Sequence, residues 1–502
     1  MTATLVPPGP PAPPADPTWR VAASSFLPAG SRERATRGWL RHLPLGLLLA
    51  VQVALTLRLT NTIYEDEAIY VDAGHDILRH WLTGSALSDD YGTYFSGVPQ
   101  VYPVLSALLD DVGGLWAVRA FSLLCMVLAT LCVRSTGRQL WGARAGGFAA
   151  VAFVLTGPVM FLGRFATFDA VTVGTLAAGL YLLVVRRGWT AAAFSGVVLA
   201  LAPLLKYTGA VFIPVVLVVA LLTAERRRLR VLLSAVVTAA LLGLAWLAVG
   251  SSVIGGIEFT TSSREAIVWM ATSSLLRYVL LDIGLLLVLA VAGVAVSARS
   301  VRTTLLALTL LGGGLLLPVA QLRLHEEVSF EKHLGYGAIF LALLAGRALL
   351  AVSRRSMGMV LVSLTVVVVA ISGLAASHRM FQWTDVSQVV PVLDQLDASG
   401  TYLSTSGTQI AYYSDSEGLD LTWEEHYALY DSGTEAMQTA VDDDTYAGFV
   451  LNDGEAADGD EAAGTAELLS MIAASDDYEL VAEVPVGDGS TAVWLVFQLV
   501  QG

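Results

Sequence analysis

Hydrophobic residues run along the first three-quarters of the chain in long blocks, separated by short polar stretches that often carry arginine. A block of about 20 apolar residues is long enough to cross a bilayer core as a helix. Eleven such spans are predicted, over residues 43–60, 113–133, 145–162, 166–185, 189–205, 208–223, 231–250, 275–297, 302–321, 334–351 and 356–375. Between the fifth and sixth, Lys206-Tyr207-Thr208-Gly209 reads as a tight loop or a break in a helix. After residue 375 the pattern changes. Short alternating runs at Thr401-Tyr402-Leu403 and Ala492-Val493-Trp494-Leu495-Val496-Phe497 predict strands, and an amphipathic stretch near 389–396 precedes the first. The expected organisation is an N-terminal segment over 1–42, partly disordered because residues 1–18 are rich in Pro and Ala, a helical membrane domain over 43–375 with a long first loop at 61–112, and a small α/β domain over 376–502. The first apolar stretch begins only after an arginine-rich region, which is not the order of a cleavable signal peptide.

Composition supports this class. Hydrophobic residues make up 55% of the chain and charged residues 14%, against roughly 25% charged in soluble domains. The chain is expected to be a polytopic α-helical membrane protein. Arginines cluster before span one (Arg32, Arg34, Arg37, Arg41) and after span two (Arg134, Arg138, Arg144). Further clusters follow spans four (Arg186, Arg187), six (Arg226, Arg227, Arg228, Arg230), eight (Arg299, Arg302) and ten (Arg354, Arg355). With eleven spans all these fall on one side, which the positive-inside rule makes cytoplasmic. The first loop and the tail then face outward. The tail carries 24 Asp or Glu and one basic residue, Arg379, for a charge near −23; the rest of the chain is near +9, so the overall −14 hides two opposed regions. Such acidity excludes a nucleic acid partner and reads as solubility, with specific cation binding as the lesser alternative. The insert Asp453–Glu461 is expected to be a solvated loop. Cys125 and Cys132 share one span and are expected to pack rather than pair or bind metal. No CxxC pair, Walker loop or dinucleotide fingerprint points to another cofactor class.

Candidate chemistry gathers at the outward ends of the spans. Glu65-Asp66-Glu67 follows span one, and Ile69, Ala73 and Ile77 beyond it have the spacing of a helix lying along the membrane surface, with Asp72 and Asp76 on or beside its wetter side. Tyr102-Pro103 precedes span two, Arg164 and Asp169 bracket the turn into span four, and Lys206 follows span five. His325, Glu326, Glu327, Glu331, Lys332 and His333 crowd the loop before span ten. Charged groups this close to a bilayer are costly unless hydrated, paired or used. One cleft gathering them suits glycosyl transfer from a lipid phosphate: a carboxylate takes or orients the acceptor's proton and cations stabilise the departing phosphate. Asp66 is the expected base and Glu67 its neighbour in the same catalytic pair. Lys206, Lys332 and Arg164 are candidate phosphate partners, and His333 a phosphate or sugar ligand. Structural alternatives stand beside these: an ion pair for Arg164 with Asp169, a snorkelling side chain for Lys206, a core or loop histidine for His333. Arg119, inside span two, is expected to face the bundle interior. A transporter or flippase, and a non-catalytic envelope assembly protein, are the competing functional readings, although no inverted repeat supports transport.

In these features the chain resembles the multispanning transferases that use polyprenyl-phosphate sugars, such as the lipid A aminoarabinose transferases and the protein O-mannosyltransferases. Asp66-Glu67 with Tyr70 is similar to that family's first-loop acidic motif. Tyr94-Phe95 and Tyr102-Pro103 resemble its aromatic and proline-containing loop pattern, Asp169 its acidic position at the fourth span, and Glu331-Lys332-His333-Leu334 its charged turn before a late span. The resemblance covers roughly residues 40–375. It implies a GT-C fold, catalysis outside the cytoplasm, a polyprenyl-phosphate sugar donor, a cell-envelope glycan, lipid or protein acceptor, and donor-binding roles for Arg164, Asp169, Lys206, Lys332, His333 and Tyr102. It also implies that many close relatives need no metal, whereas other GT-C enzymes use a divalent ion, for which Glu65, Asp66 and Asp169 would supply oxygen ligands here. The segment Val98-Pro99-Gln100-Val101-Tyr102-Pro103 lacks the lysine-proline pattern of the aminoarabinose enzymes, so lipid A specificity does not follow.

Overall fold

The structure is a computed structural model that describes residues 42–223, 228–261, 269–396, 400–453, 460–487 and 491–500. The N-terminal segment expected to be disordered, the Arg226-Arg227 pair and most of the Asp453–Glu461 insert lie outside the described residues. Every candidate site residue lies in the compact unit that begins at Leu48.

After α1 (Leu43–Leu57) the chain enters α2 (Glu65–Thr83). Three carboxylates in the first turn of α2 complement the partial positive charge of a helix N-terminus, and Gly84 ends the helix in the left-handed conformation at φ 73°. The loop beyond α2 leads to α3 (Tyr102–Trp141), with Pro103 in its first turn and an internal break at Gly113 and Gly114, the latter at φ 61°. The next two helices, α4 (Ala143–Val154) and α5 (Gly157–Arg164), meet at 65°, where Pro158 opens α5. Then come α6 (Phe168–Val184), α7 (Trp189–Leu205), α8 (Phe212–Thr223), α9 (Arg228–Thr260), α10 (Thr272–Ser297), α11 (Val301–Leu324), α12 (Phe330–Val352) and α13 (Gly358–Arg379).

The expected count of about eleven membrane-crossing helices is corrected. Among the described residues six helices, α3 and α9 to α13, are long and apolar enough to cross a membrane, or seven if bent α4–α5 is one span. The sequence blocks around α1, α6, α7 and α8 do form apolar helices, but of only 12 to 17 residues. At 1.5 Å per residue the twelve residues of α8 rise about 18 Å, short of a hydrocarbon core of about 30 Å. Hydropathy measures how many apolar residues are consecutive; it does not show where a break such as the Tyr207–Val211 turn shortens the helix.

Helix α12 is the axis of the bundle, buried along most of its length and packed against α4, α10 and α11. Gly337 lies against the Gly314 carbonyl of α11, and Gly346 against the Ala145 carbonyl of α4. Any larger side chain would push these helices apart, which is how small residues permit close approach in apolar surroundings.

Past α13 the expected amphipathic stretch is a 3₁₀ turn at Val390–Gln395, with Val389, Leu393 and Leu396 buried on one side. A five-stranded sheet follows in the order β2-β1-β3-β5-β4, from β1 (Thr401–Ser404), β2 (Thr422–Glu425), β3 (Gly448–Asn452), β4 (Tyr478–Pro485) and β5 (Val493–Leu499). The first three strands run parallel, and β5 is antiparallel to β3 and β4. Helices α14 (Gly407–Glu417), α15 (Tyr427–Asp431), α16 (Thr434–Asp442) and α17 (Asp460–Ile472) connect them. Alternate residues build a core on each face: Tyr402, Val450, Trp494 and Val496 on one, Leu403, Phe449 and Leu451 on the other. Both predicted strand runs thus fall in the sheet.

Candidate functional site

The segment Asn61–Glu67 carries the acidic motif. Glu67 is fully buried and collects four donors. Arg119 of α3 gives two of them, Nε to Oε1 at 3.0 Å and Nη2 to Oε2 at 2.5 Å. The Ala166 amide donates to Oε1 at 2.6 Å, and Glu67 reaches back to accept from the Tyr64 amide at 2.9 Å. The same guanidinium donates to the carbonyls of Asn61 and Thr62, each at 2.8 Å, and lies 5.3 Å from the Phe381 ring. A buried charge is tolerated when it is paired and its remaining lone pairs are satisfied. Arg119 therefore does face the bundle interior, where it ties α2 to α3.

Asp66, one residue earlier, points the other way. Its side chain is 30% exposed and its partner is Lys332 in the first turn of α12. Lys332 is 12% exposed and sits 5.6 Å from the Phe165 ring. Deeper in, Asp169 accepts from Lys206 Nζ at 2.6 Å, from Tyr336 Oη at 2.9 Å and, through its other oxygen, from Thr167 Oγ1 at 2.8 Å. Lys206 also lies 4.8 Å from the Phe168 ring. Asp169 thus pairs with Lys206 and not with Arg164, whose Nε donates to the Leu59 carbonyl at 3.1 Å. An aromatic wall of Tyr70, Phe95, Tyr102 and Phe168 backs the site, with ring centroids 4.6 to 5.9 Å apart. Tyr102 belongs to this wall. His333 is buried on α12 beside Tyr336, ring centroids 6.1 Å apart.

Sequence reasoning passed over Tyr336. It stands four residues after Lys332, the spacing that puts two side chains on one helix face, so the signal was present. Asp76, expected on the wetter side of α2, is instead buried, held by Arg79, by Ser88 and by Tyr91 at 3.2 Å. Those hydrogen bonds outweigh the opposing effect of burial and hold its carboxyl below the usual range.

Among the described residues no three His, Cys, Asp or Glu side chains gather closely enough to hold a metal ion. Glu65, Asp66 and Asp169 do not form such a group, and Asp169 accepts hydrogen bonds from Lys206, Tyr336 and Thr167.

The sheet domain reaches the same edge. His426, buried after β2, lies 3.6 Å from Glu425 and 3.3 Å from Glu461. Burial of the ring opposes its protonation, but the two carboxylates prevail and push it up to about 9. Glu65 is pushed up to about 7, chiefly by burial, then by the Glu425 and Asp66 carboxylates, against which His426 and Lys332 act only partly.

Residues 101–252 match the family described as dolichyl-phosphate-mannose-protein mannosyltransferase. No curated protein sequence matches the chain. Among solved structures, ArnT from Cupriavidus metallidurans in the apo state aligns with a TM-score of 0.59 at 14% identity, covering 92% of this chain and 98% of that one. ArnT bound to undecaprenyl phosphate aligns at 0.58 and 14% identity, covering 90% and 97%. The oligosaccharyltransferase of Archaeoglobus fulgidus aligns at 0.55 and 11% identity, covering 82% and 69%. The fold is GT-C-like and is shared with these structures, in a multi-pass membrane protein with a distinct C-terminal domain.

Proposed function

We propose that the chain transfers a sugar from a polyprenyl-phosphate donor to a hydroxyl of a cell-envelope glycan, lipid or protein, with inversion, at the site between Asp66 and Lys332. The observation that carries this is the contrast within the acidic pair. Glu67 is consumed by four donors, whereas Asp66 keeps an accessible carboxylate paired with a lysine. An oxygen that must accept a proton has to be reachable, and a cation that must receive a phosphate has to be exchangeable.

In the proposed step the acceptor oxygen attacks the anomeric carbon and gives its proton to Asp66. The bond from that carbon to the phosphate oxygen breaks, and its electron pair leaves with the phosphate. Lys332 moves its charge from Asp66 to the donor phosphate, which frees the base and stabilises the leaving group in one exchange. Arg164, whose Nη1 has no hydrogen-bond partner among the described residues, is the second phosphate cation. Lys206 is neutralised by Asp169 and acts by holding that wall of the site, as do Tyr102 and Glu67 in theirs. In this reading His333, next to Lys332 on α12, contributes to donor binding.

Placement outside the cytoplasm is supported by polarity along the helices. Tyr102, Asp169 and Lys332 occupy the first turns of α3, α6 and α12, while Arg138, Arg186 and Arg354 stand at or just beyond the opposite ends of those helices.

Purified protein in nanodiscs, offered a panel of polyprenyl-phosphate sugars with an envelope extract, tests this. Donor consumption and a glycosylated product that vanish in Asp66→Asn are expected. Movement of intact donor between leaflets without product would replace transfer with transport.

A further inference from the structure

The sheet domain touches the site through α14, which packs on α2 and carries two adjacent tyrosines. Neighbours on a helix point about 100° apart, so the two phenols reach different elements. Tyr413 Oη accepts the Ile63 amide at 2.9 Å. Tyr412 Oη donates to Asp110 Oδ1 at 2.7 Å and accepts the Leu115 amide at 3.0 Å.

Both amides belong to groups with no regular partner. Leu115 begins the second half of α3, just past the break at Gly113 and Gly114, and the first amides of a helical segment lack an intrahelical acceptor. Tyr412 supplies one from another domain, while its proton ties down the last turn of the first half at Asp110. Ile63 is fully buried in the irregular stretch before α2, where an unpaired amide is costly. Fixed groups hold the residues beside it as well: Arg119 and Trp383 donate to the Thr62 carbonyl, and Asn61 donates to the Trp383 carbonyl.

The positions decide the consequence. Ile63 precedes Asp66 by three residues, and Leu115 precedes Arg119 by one helical turn. The two phenols therefore hold both ends of the Asp66–Glu67–Arg119 assembly. We propose that Tyr412 and Tyr413 are positioning residues that set where Asp66 stands, so that the C-terminal domain completes the active site. The kinetic part of this rests on the transfer function proposed above; the structural part does not.

Hydrogen exchange on the full-length protein in nanodiscs, read by mass spectrometry, follows the amides directly, and donor turnover is measured on the same preparations. Tyr413→Phe is expected to speed exchange in the peptide containing Ile63 about tenfold, and Tyr412→Phe in that containing Leu115. Each lowers kcat about tenfold with the donor KM within about twofold, since a small misplacement of a reacting group acts on the rate and spares binding. Tyr430→Phe removes a bond to Thr465 inside the same domain and changes neither readout. Unchanged exchange at both peptides overturns the proposal. So does faster exchange with unchanged kcat, which would make the contacts merely structural, or an equal loss in Tyr430→Phe, which would make the effect general loosening of the domain. If neither wild type nor Asp66→Asn consumes donor, the transfer function fails on its own, and the exchange result still decides whether the phenols hold the Ile63 and Leu115 segments.

Discussion

Replacing Glu67 with Gln should cost stability, whereas replacing Asp66 with Asn should cost only activity. Glu67 is 0% and Arg119 3% exposed. The substitution is nearly isosteric, but it removes the charge that compensates a buried guanidinium and turns one acceptor oxygen into a donor facing donors. Breaking a buried pair in this way costs about 3–5 kcal/mol. The Ala166 and Tyr64 amides would then donate to a weaker acceptor as well, at about 1 kcal/mol each where burial is complete. Asp66→Asn leaves its partner Lys332 with a neighbouring carboxylate in Asp169, and Asp66 itself is 30% exposed, so its effect on stability should be much smaller, on the order of 1 kcal/mol. Thermal unfolding in nanodiscs separates the two. Glu67→Gln lowers the midpoint by roughly 5 °C or more, while Asp66→Asn melts with the wild type yet loses turnover by about 10²–10⁴. The companion Arg119→Met is destabilising alone, and less so combined with Glu67→Gln, because the double variant buries no unpaired charge. Equal melting shifts for Asp66→Asn and Glu67→Gln would refute the assignment of unequal roles. So would a Glu67→Gln protein with wild-type midpoint and turnover.

Other outcomes rest on the same geometry. Lys332→Met should reduce transfer by about 10²–10³, as loss of one charge-stabilising donor does, with a weaker response of binding to the phosphate of the donor, checked by inhibition with undecaprenyl phosphate. Glu65 ionises as pH rises through about 7, placing a second negative charge beside Asp66 and making that base stronger; turnover should climb through pH 7, and Glu65→Gln should flatten the climb. His426, raised from 6.5 to about 9, contributes stability that is complete below about pH 6.5 and lost as pH rises through 9. The shift corresponds to about 3 kcal/mol by linkage, reduced to on the order of 1–2 by solvent at half-exposed Glu461. The melting midpoint should fall across that window in the wild type and stay level in His426→Gln.

Much of this architecture was legible in the order of residues. Each apolar block did become helical, the third as two helices broken at Leu155–Thr156, because burying consecutive apolar side chains against lipid or other helices leaves the backbone no other way to satisfy its polar groups. The two strand runs became β1 and β5, since a period of two fits only a sheet face. Asp66, Asp169, Lys206 and Lys332 stood out because a charge near a bilayer needs a reason. How many helices are long enough to cross was not legible, since breaks at Leu155–Thr156 and Lys206–Val211 depend on how neighbouring helices pack. Which charge pairs with which was also hidden. Asp169 lay nearest Arg164 along the chain, yet its partner is Lys206, 37 residues away, because two helix ends converge there.

Taken by itself, the sequence determined the class of molecule: apolar helical spans, an acidic sheet domain after them, and a polar edge at the ends of the spans, all properties of local pattern and composition. Only the tertiary structure decided the different fates of Asp66 and Glu67. Adjacent residues on a helix point in different directions, and what each meets is set by helices and a domain brought in from elsewhere. Glu67 meets Arg119 and two amides in a dry interior, Asp66 meets Lys332 at an open one, and Tyr412 and Tyr413 arrive from about 350 residues downstream of Ile63 to hold both in place.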